Sequence, residues 1–247
     1  MELEGKTALI TGASGRLGSV IALSLAAARC RCVCHYHSNQ KKAEELVERI
    51  KSSGSKAISI GADLTDQKQI EHLFEQAGRF ADLQILINCA AVFWRQDLDG
   101  VRFEDAQKII GLNLTASILT SRFFAGRLKE KYGQSDPVLG KIINISDVGG
   151  IRPWAGYVVY CSSKAGLIGA TKALAKELAL SICVNSIAPG IVSWPDELDE
   201  EAKNRQVLLI PMTRIETPQE IAAAVMFLLE SDYISGQVLC IDGGRSI

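Results

Sequence analysis

Short apolar runs alternate with longer segments of helical period along the whole chain. Seven runs rich in β-branched residues, at positions 7–10, 32–34, 57–60, 85–87, 142–145, 184–187 and 238–241, predict strands. They read as apolar throughout, the pattern of strands covered on both faces and therefore of a parallel sheet between helical layers. Among the intervening segments, 41–51 places Leu46, Val47 and Ile50 at helical spacing, 66–77 follows Thr65 as its N-cap, and 19–28 follows a glycine-rich turn. The expected architecture is α/β, a doubly wound, seven-stranded parallel sheet with helices on both faces, in three layers and one domain over 1–247. Only 190–215 departs from the alternation, with Pro195, Pro211 and the acidic run Asp196, Glu197, Asp199, Glu200 and Glu201. Two readings stand for it: a solvated face, or a substrate lid over the sheet edge where open α/β folds bind ligands.

Composition narrows the function classes. With 247 residues, 47% of them hydrophobic, the chain is long enough to bury roughly 70–75% of its unfolded surface, which excludes a disordered or fibrous protein. Lys+Arg 27 against Asp+Glu 28 leaves no basic excess for nucleic acid. The start Met1-Glu2-Leu3-Glu4 is acidic and has no basic n-region ahead of an apolar core, so no signal sequence is expected, and no uninterrupted apolar run reaches the ~18 residues of a membrane span. Seven cysteines without a CxxC pair read as reduced thiols, so a cytoplasmic protein without membrane partners is expected.

The first strand runs into Thr11-Gly12-Ala13-Ser14-Gly15-Arg16-Leu17-Gly18 and then a helix. A strand, a glycine turn and a helix N-terminus bring backbone N–H groups and the positive dipole end to a pyrophosphate, the dinucleotide site of a Rossmann-type fold. Arg16 opposes the macrodipole in that first turn; an anionic ligand would resolve the conflict, and a tolerated exposed arginine is the alternative. A site for NAD places Asp or Glu about 20 residues beyond the glycines. No acidic residue occurs between Glu4 and Glu44, and His37, Ser38 and Asn39, with Arg31, Lys41 and Lys42 nearby, offer donors and charge to a 2′-phosphate, so NADP is expected. Cys30, Cys32, Cys34, His35 and His37 invite a metal reading, but strand alternation divides the thiols from the imidazoles, so no metal is expected.

Tyr160 and Lys164 share a helical face one turn apart, just past the fifth strand. An ammonium near a phenol lowers the tyrosine pKa, making a general acid/base. Together with the Gly12 loop, Asp63-Leu64, Asn88-Cys89-Ala90-Ala91, Asn113, Pro189-Gly190 and Asp242-Gly243-Gly244, this ordered set resembles the short-chain dehydrogenase/reductase family over essentially the whole chain. The resemblance implies cofactor contacts from Gly12, Ser14, Arg16, Leu17, His37, Ser38, Asn39, Asp63, Leu64, Asn88, Ala90, Tyr160, Lys164, Pro189 and Gly190. It also implies a proton relay with a water anchored by Asn113, and a homotetramer.

Two departures from the family pattern are informative. Asp147 stands thirteen residues before Tyr160, where members usually carry serine, and Arg16 stands at a usual glycine. With Phe93 and the ending Asp242-Gly243-Gly244-Arg245-Ser246-Ile247, these resemble the pteridine reductase branch. That likeness implies NADPH-dependent reduction of a dihydropteridine or dihydrofolate ring, with Tyr160 and Asp147 delivering protons and Arg16, Phe93, Asp147, Tyr160 and Trp194 contacting the substrate. Ser146 as the hydroxyl, through a one-residue shift, is the alternative to Asp147. Trp94, Trp154 and Trp194 follow three strands on the expected active edge, as walls for a flat substrate or as loop packing. Competing functions are another short-chain carbonyl reductase (3-oxoacyl, sugar or small ketone) and a non-catalytic dinucleotide-binding protein.

Overall fold

A computed structural model of the chain describes residues 1–133, 139–194 and 198–247. Its strands are β1 Thr7–Ile10, β2 Arg31–Tyr36, β3 Ala57–Gly61, β4 Ile85–Asn88, β5 Gly140–Ile145, β6 Ile182–Pro189 and β7 Val238–Ile241. Its α-helices are α1 Arg16–Ala27, α2 Gln40–Ser52, α3 Gln67–Phe80, α4 Phe103–Ile110, α5 Ala116–Tyr132, α6 Val158–Glu177, α7 Glu200–Leu208 and α8 Pro218–Glu230. The strands form one parallel sheet in the order β3-β2-β1-β4-β5-β6-β7, so the topology reverses between β1 and β4 and opens a crevice at their C-terminal ends. The predicted doubly wound α/β sandwich is the observed fold.

Alternation along the strands splits the core in two. Ile10, Cys32, Cys34, Ile85 and Ile87 pack against α1, α2 and α8, whereas Leu9, Val33, Leu86, Ile142 and Val184 pack against α3, α5 and α6. Cys30, Cys32 and Cys34 lie in the first cluster, where burial pushes the thiols up, Cys30 to about 11 and Cys34 to about 12. All seven cysteines are free thiols.

Local chemistry moves two predicted boundaries and joins two helices the pattern left unread. Helix α1 begins at Arg16 rather than at position 19, because Gly15 is already an extended N-cap with ψ 167. Thr65 is not the cap of α3: its N–H and hydroxyl are both taken by Asp63 Oδ1 (2.8 and 2.7 Å), and Asp66 caps by accepting from Lys68 N–H. Helices α4 and α5 run on through a π-helical turn, Gly111–Thr115, into one rod. An 18-residue window of Phe103–Tyr132 has mean hydropathy 1.2, enough by length and composition to cross a membrane, although charged residues interrupt the segment. In this fold Ala116, Phe124 and Leu128 of the rod pack on the sheet.

Of the segment 190–215, Pro195, Asp196 and Glu197 lie outside the described residues. Asp199 caps α7 by accepting from Ala202 N–H at 2.7 Å, and Glu200 and Glu201 pair with Lys203 and Arg205 on its surface. The described part of the acidic run therefore starts and solubilises a helix.

Candidate active site

Two depressions meet at the C-terminal edge of the sheet. The first, about 620 Å³, lies over the β1–α1 turn. Gly12 has φ +65 and a Cβ there would come within 2.9 Å of Ala90 Cα, while a Cβ on Gly18 would lie 2.4 Å from the Gly12 carbonyl. Only glycine lets this turn close against the chain leaving β4 and lets α1 pack on its own loop. Thr11 Oγ1 fixes that approach, accepting from Cys89 N–H (2.9 Å) and Ala90 N–H (3.1 Å). His35 fixes it from below: Gly12 N–H donates to Nδ1 at 3.1 Å, and Nε2–H donates to the Ala62 carbonyl at 2.9 Å. Burial pushes the His35 pKa down to about 4, so the imidazole stays neutral and keeps its acceptor nitrogen on the glycine loop.

Helix α1 opens onto this cleft with no side-chain cap and no acidic residue in its first turn. Its free N–H groups and Arg16 face a space with no acidic residue but Asp63, whose carboxylate Thr65 already engages and holds below the usual range. Ser14, Leu17, His37, Ser38, Asn39, Leu64 and Ala90 line the same cleft. The donor set fits a dinucleotide carrying a 2′-phosphate. Asn39 also caps α2, accepting from Lys42 N–H at 3.2 Å. Trp94, Lys108 and Leu112 border the cleft too, and Lys108 and Leu112 were missed because nothing local to α4 or to the π-helical turn after it marks them.

Asn88, expected to touch the cofactor, directs its side chain inward. Its side chain is buried between layers, donating to Asn144 Oδ1 (2.9 Å) and accepting from Thr120 Oγ1 (2.7 Å), while Asn144 donates to Thr171 (2.9 Å). This satisfied network ties β4 and β5 to α5 and α6. Asn113, in the π-helical turn, clamps the chain leaving β4: its amide donates to the Val92 carbonyl and accepts from Val92 N–H, both at 2.9 Å, and reaches Ser163 Oγ at 3.2 Å. The amide expected to anchor a water is engaged by these groups.

The second depression, about 580 Å³, is lined by Phe93, Asp147, Trp154, Tyr157, Tyr160, Gly190, Trp194, Gln206, Leu209 and Arg245, among others. Phe93 stacks on Tyr157 (centroids 4.8 Å, 14°) and stands edge-on to Tyr160 (4.7 Å, 83°). Trp154 closes edge-on against Tyr157 at 5.9 Å. Of the three tryptophans, Trp154 and Trp194 wall this pocket and Trp94 the nucleotide cleft. Arg16, expected to touch both cofactor and substrate, borders the nucleotide cleft rather than this pocket. The first turn of α1 stands beside β1, whereas the pocket forms beyond β5 and β6.

At the floor, Tyr160 Oη donates to Asp147 Oδ2 at 2.7 Å, and Gly149 N–H donates to Asp147 Oδ1 at 2.6 Å. Ser146 points the other way, donating to the Ile187 carbonyl at 2.9 Å and accepting from Ser186 Oγ at 2.7 Å, so Asp147 is the group that meets Tyr160. Lys164 Nζ donates to the Ile145 carbonyl at 2.9 Å and lies 5.8 Å from the Tyr160 ring centroid. The expectation that Lys164 lowers the Tyr160 pKa is overturned: burial, then the Asp147 charge, push the phenol well up. Burial likewise raises Asp147 and lowers Lys164. Phenol and carboxyl thus form a couple that holds its proton. Tyr157, Gln206 and Arg245 are pocket residues to which sequence reasoning gave no role; the tail containing Arg245 was its one visible signal.

Comparison with known proteins agrees with this geometry. A family model described as short chain dehydrogenase matches residues 6–206. A 3-oxoacyl-[acyl-carrier-protein] reductase of Synechocystis sp. is 33% identical, the match covering 98% of this chain and 97% of that protein. Glucose 1-dehydrogenase 2 of Bacillus subtilis is 32% identical over 100% of this chain and 96% of its own, and 3beta-hydroxysteroid dehydrogenase 1 of Eggerthella lenta 34% over 100% and 95%. Among solved structures, a blue fluorescent protein from a metagenomic library in complex with NADPH superposes with TM-score 0.89 at 29% identity, covering 100% of both chains. With the glycine turn, the Tyr160–Lys164 pair and the sheet order all in place, this chain belongs to the short-chain dehydrogenase family.

Proposed function

We propose that the protein is an NADPH-dependent short-chain reductase acting on a carbonyl group, with Tyr160 as the proton donor. The observation that carries this reading is the Tyr160–Asp147 hydrogen bond of 2.7 Å at the floor of an aromatic pocket beside the nucleotide cleft. The turn at Gly12 and Gly18, the open N-terminus of α1, Arg16, and His37 with Ser38 would hold the cofactor, and Pro189 and Gly190 would flank its reactive end. NADPH, when bound, supplies the hydride for the carbonyl carbon. The Tyr160 hydroxyl gives its proton to the oxygen that gains charge, and Asp147, whose carboxyl burial raises above the ordinary aspartate range, relays a proton back to the phenol. Lys164, a buried cation beside the phenol, offsets the negative charge that forms there. Three relatives at 32–34% identity carry three different substrate names, oxoacyl, glucose and hydroxysteroid, so their shared carbonyl–hydroxyl chemistry is what transfers.

A second reading, reduction of a dihydropteridine ring, has no namesake among these relatives. It rests on Asp147 in place of a serine and on the stacked Phe93–Tyr157 wall, which suit a flat ring with N–H donors. NADPH oxidation by purified protein, compared on an acetoacetyl thioester, small ketones and dihydrobiopterin and repeated with NADH, separates the readings. Turnover on the thioester or ketones supports the first, and turnover confined to the pterin establishes the second. No NADPH oxidation on any of them removes both.

A further inference from the structure

The C-terminal turn after β7 holds a guanidinium against the aromatic pocket. Asp242 fixes the turn, its carboxylate accepting from Gly244 N–H at 3.0 Å and Ser246 N–H at 2.7 Å. Arg152 closes it from outside, donating to the carbonyls of Arg245 (3.3 Å) and Ile247 (3.1 Å). So held, Arg245 reaches α7, where Nη1 donates to the Gln206 carbonyl at 3.1 Å and Nη2 to Gln206 Oε1 at 2.6 Å. Those acceptors are neutral. Arg102 and Arg214 pair directly with Asp105 and Glu220, whereas Arg245 has no ion-pair partner among the described residues.

A part-buried cation with neutral acceptors only is incompletely compensated. Burial and then Arg152 push the Arg245 pKa down, the direction expected of a cation lacking a counter-ion. Asp147, Asp242 and Glu216 lie in its field but none pairs with it: burial pushes the Asp147 and Glu216 carboxyls toward their neutral forms, and both Asp242 oxygens are turned to backbone N–H groups. After Gln206 is served, Nη1, Nη2 and Nε each retain a hydrogen in the planar fork that matches an oxyanion. The pocket wall nearby is apolar or aromatic, from Trp154, Trp194 and Leu209.

We propose that Arg245 is a specificity residue of this pocket, binding a carboxylate or phosphate that the substrate carries beyond its reducible group. The inference deepens the proposed function and rests on this pocket being where the substrate lies. The competing role is that of a latch, in which Arg245 only pins α7 over the pocket through Gln206.

The test uses 4-carboxybenzaldehyde and its methyl ester, with 4-formylphenyl phosphate to separate the two oxyanions. Binding is read by quenching of pocket tryptophan fluorescence and turnover by NADPH oxidation. The wild-type protein should prefer an anionic probe over the ester by roughly ten- to a hundredfold in Kd and in kcat/KM, the range of a charge-assisted hydrogen bond. Added salt should erode that preference, Arg245→Gln should abolish it, and Arg245→Lys should retain part of it. An ester bound as well as both anions by the wild type, or an Arg245→Gln variant that weakens ester and anions equally, would overturn the proposal, the latter result being that of a latch. If the anions quench preferentially but no aldehyde oxidises NADPH, the anion site stands and the carbonyl reading is what fails.

Discussion

The nucleotide cleft and the substrate pocket share one sheet edge but are built from different materials. The cleft is made of main chain: a glycine turn, the free N–H groups of α1, and a neutral His35 that holds Gly12 by its N–H. The pocket is made of side chains that arrive from separate places, Phe93 after β4, Trp154 and Tyr157 before α6, Trp194 after β6 and Arg245 after β7. Backbone geometry tolerates few residue types, whereas a wall of side chains can be exchanged loop by loop. A fold with this division keeps one cofactor and changes substrates, in line with relatives of similar identity carrying unlike substrate names.

Breaking the cleft should cost most. Gly18→Val puts a side chain where even a Cβ lies 2.4 Å from the Gly12 carbonyl, and NADPH affinity measured by calorimetry should fall by about a hundredfold or more. On the pocket side, Asp147→Asn should lower the reductive rate by about ten- to a hundredfold. Because burial raises Asp147, the couple keeps its proton to higher pH than an exposed aspartate would; the wild-type rate should fall as pH rises through that ionisation, and the variant should lose the inflection.

Replacing His37 and Ser38 together by alanine sharpens the contrast within the cleft. NADPH KM should rise about tenfold while NADH KM changes little, because only the former carries the 2′-phosphate. The smallest effect on activity is expected at Glu216, which lies behind Gly190 with Oε1 unpaired and its pKa raised to about 8 by burial. A carboxyl raised on folding stabilises fully below its unfolded value of 4.5, and that contribution is lost as pH rises through about 8. Glu216→Gln should remove most of this loss, read as a flatter Tm between pH 4.5 and about 8.

The same division explains what was legible in the sequence. Every strand was visible because buried parallel strands are apolar on both faces, but β2 and β6 were read short. The end of β2 carries His35, a polar residue satisfied by the Ala62 carbonyl, a tertiary partner that no local pattern shows, and the missed ends of β6, Ile182-Cys183 and Ala188-Pro189, lie beyond the polar pair Asn185 and Ser186 that interrupts its apolar run. The glycine turn, Tyr160 and Lys164 were legible because their spacing is local. The inward network of Asn88 was not legible because its partners Thr120 and Asn144 are distant in sequence. The raised Tyr160 pKa was missed because spacing reports the nearby lysine but not the burial that outweighs it. Arg245 acquires a role only when β7 brings it beside α7.

The most direct test of a cleft that binds and a pocket that donates the proton is Tyr160→Phe, measured for NADPH affinity and for turnover on whichever substrate the panel identifies. The account predicts an affinity within a fewfold of wild type and turnover lower by about a hundredfold or more, the contribution of a positioned acid. Turnover near the wild-type rate, or a loss of affinity as large as the loss of turnover, would contradict it.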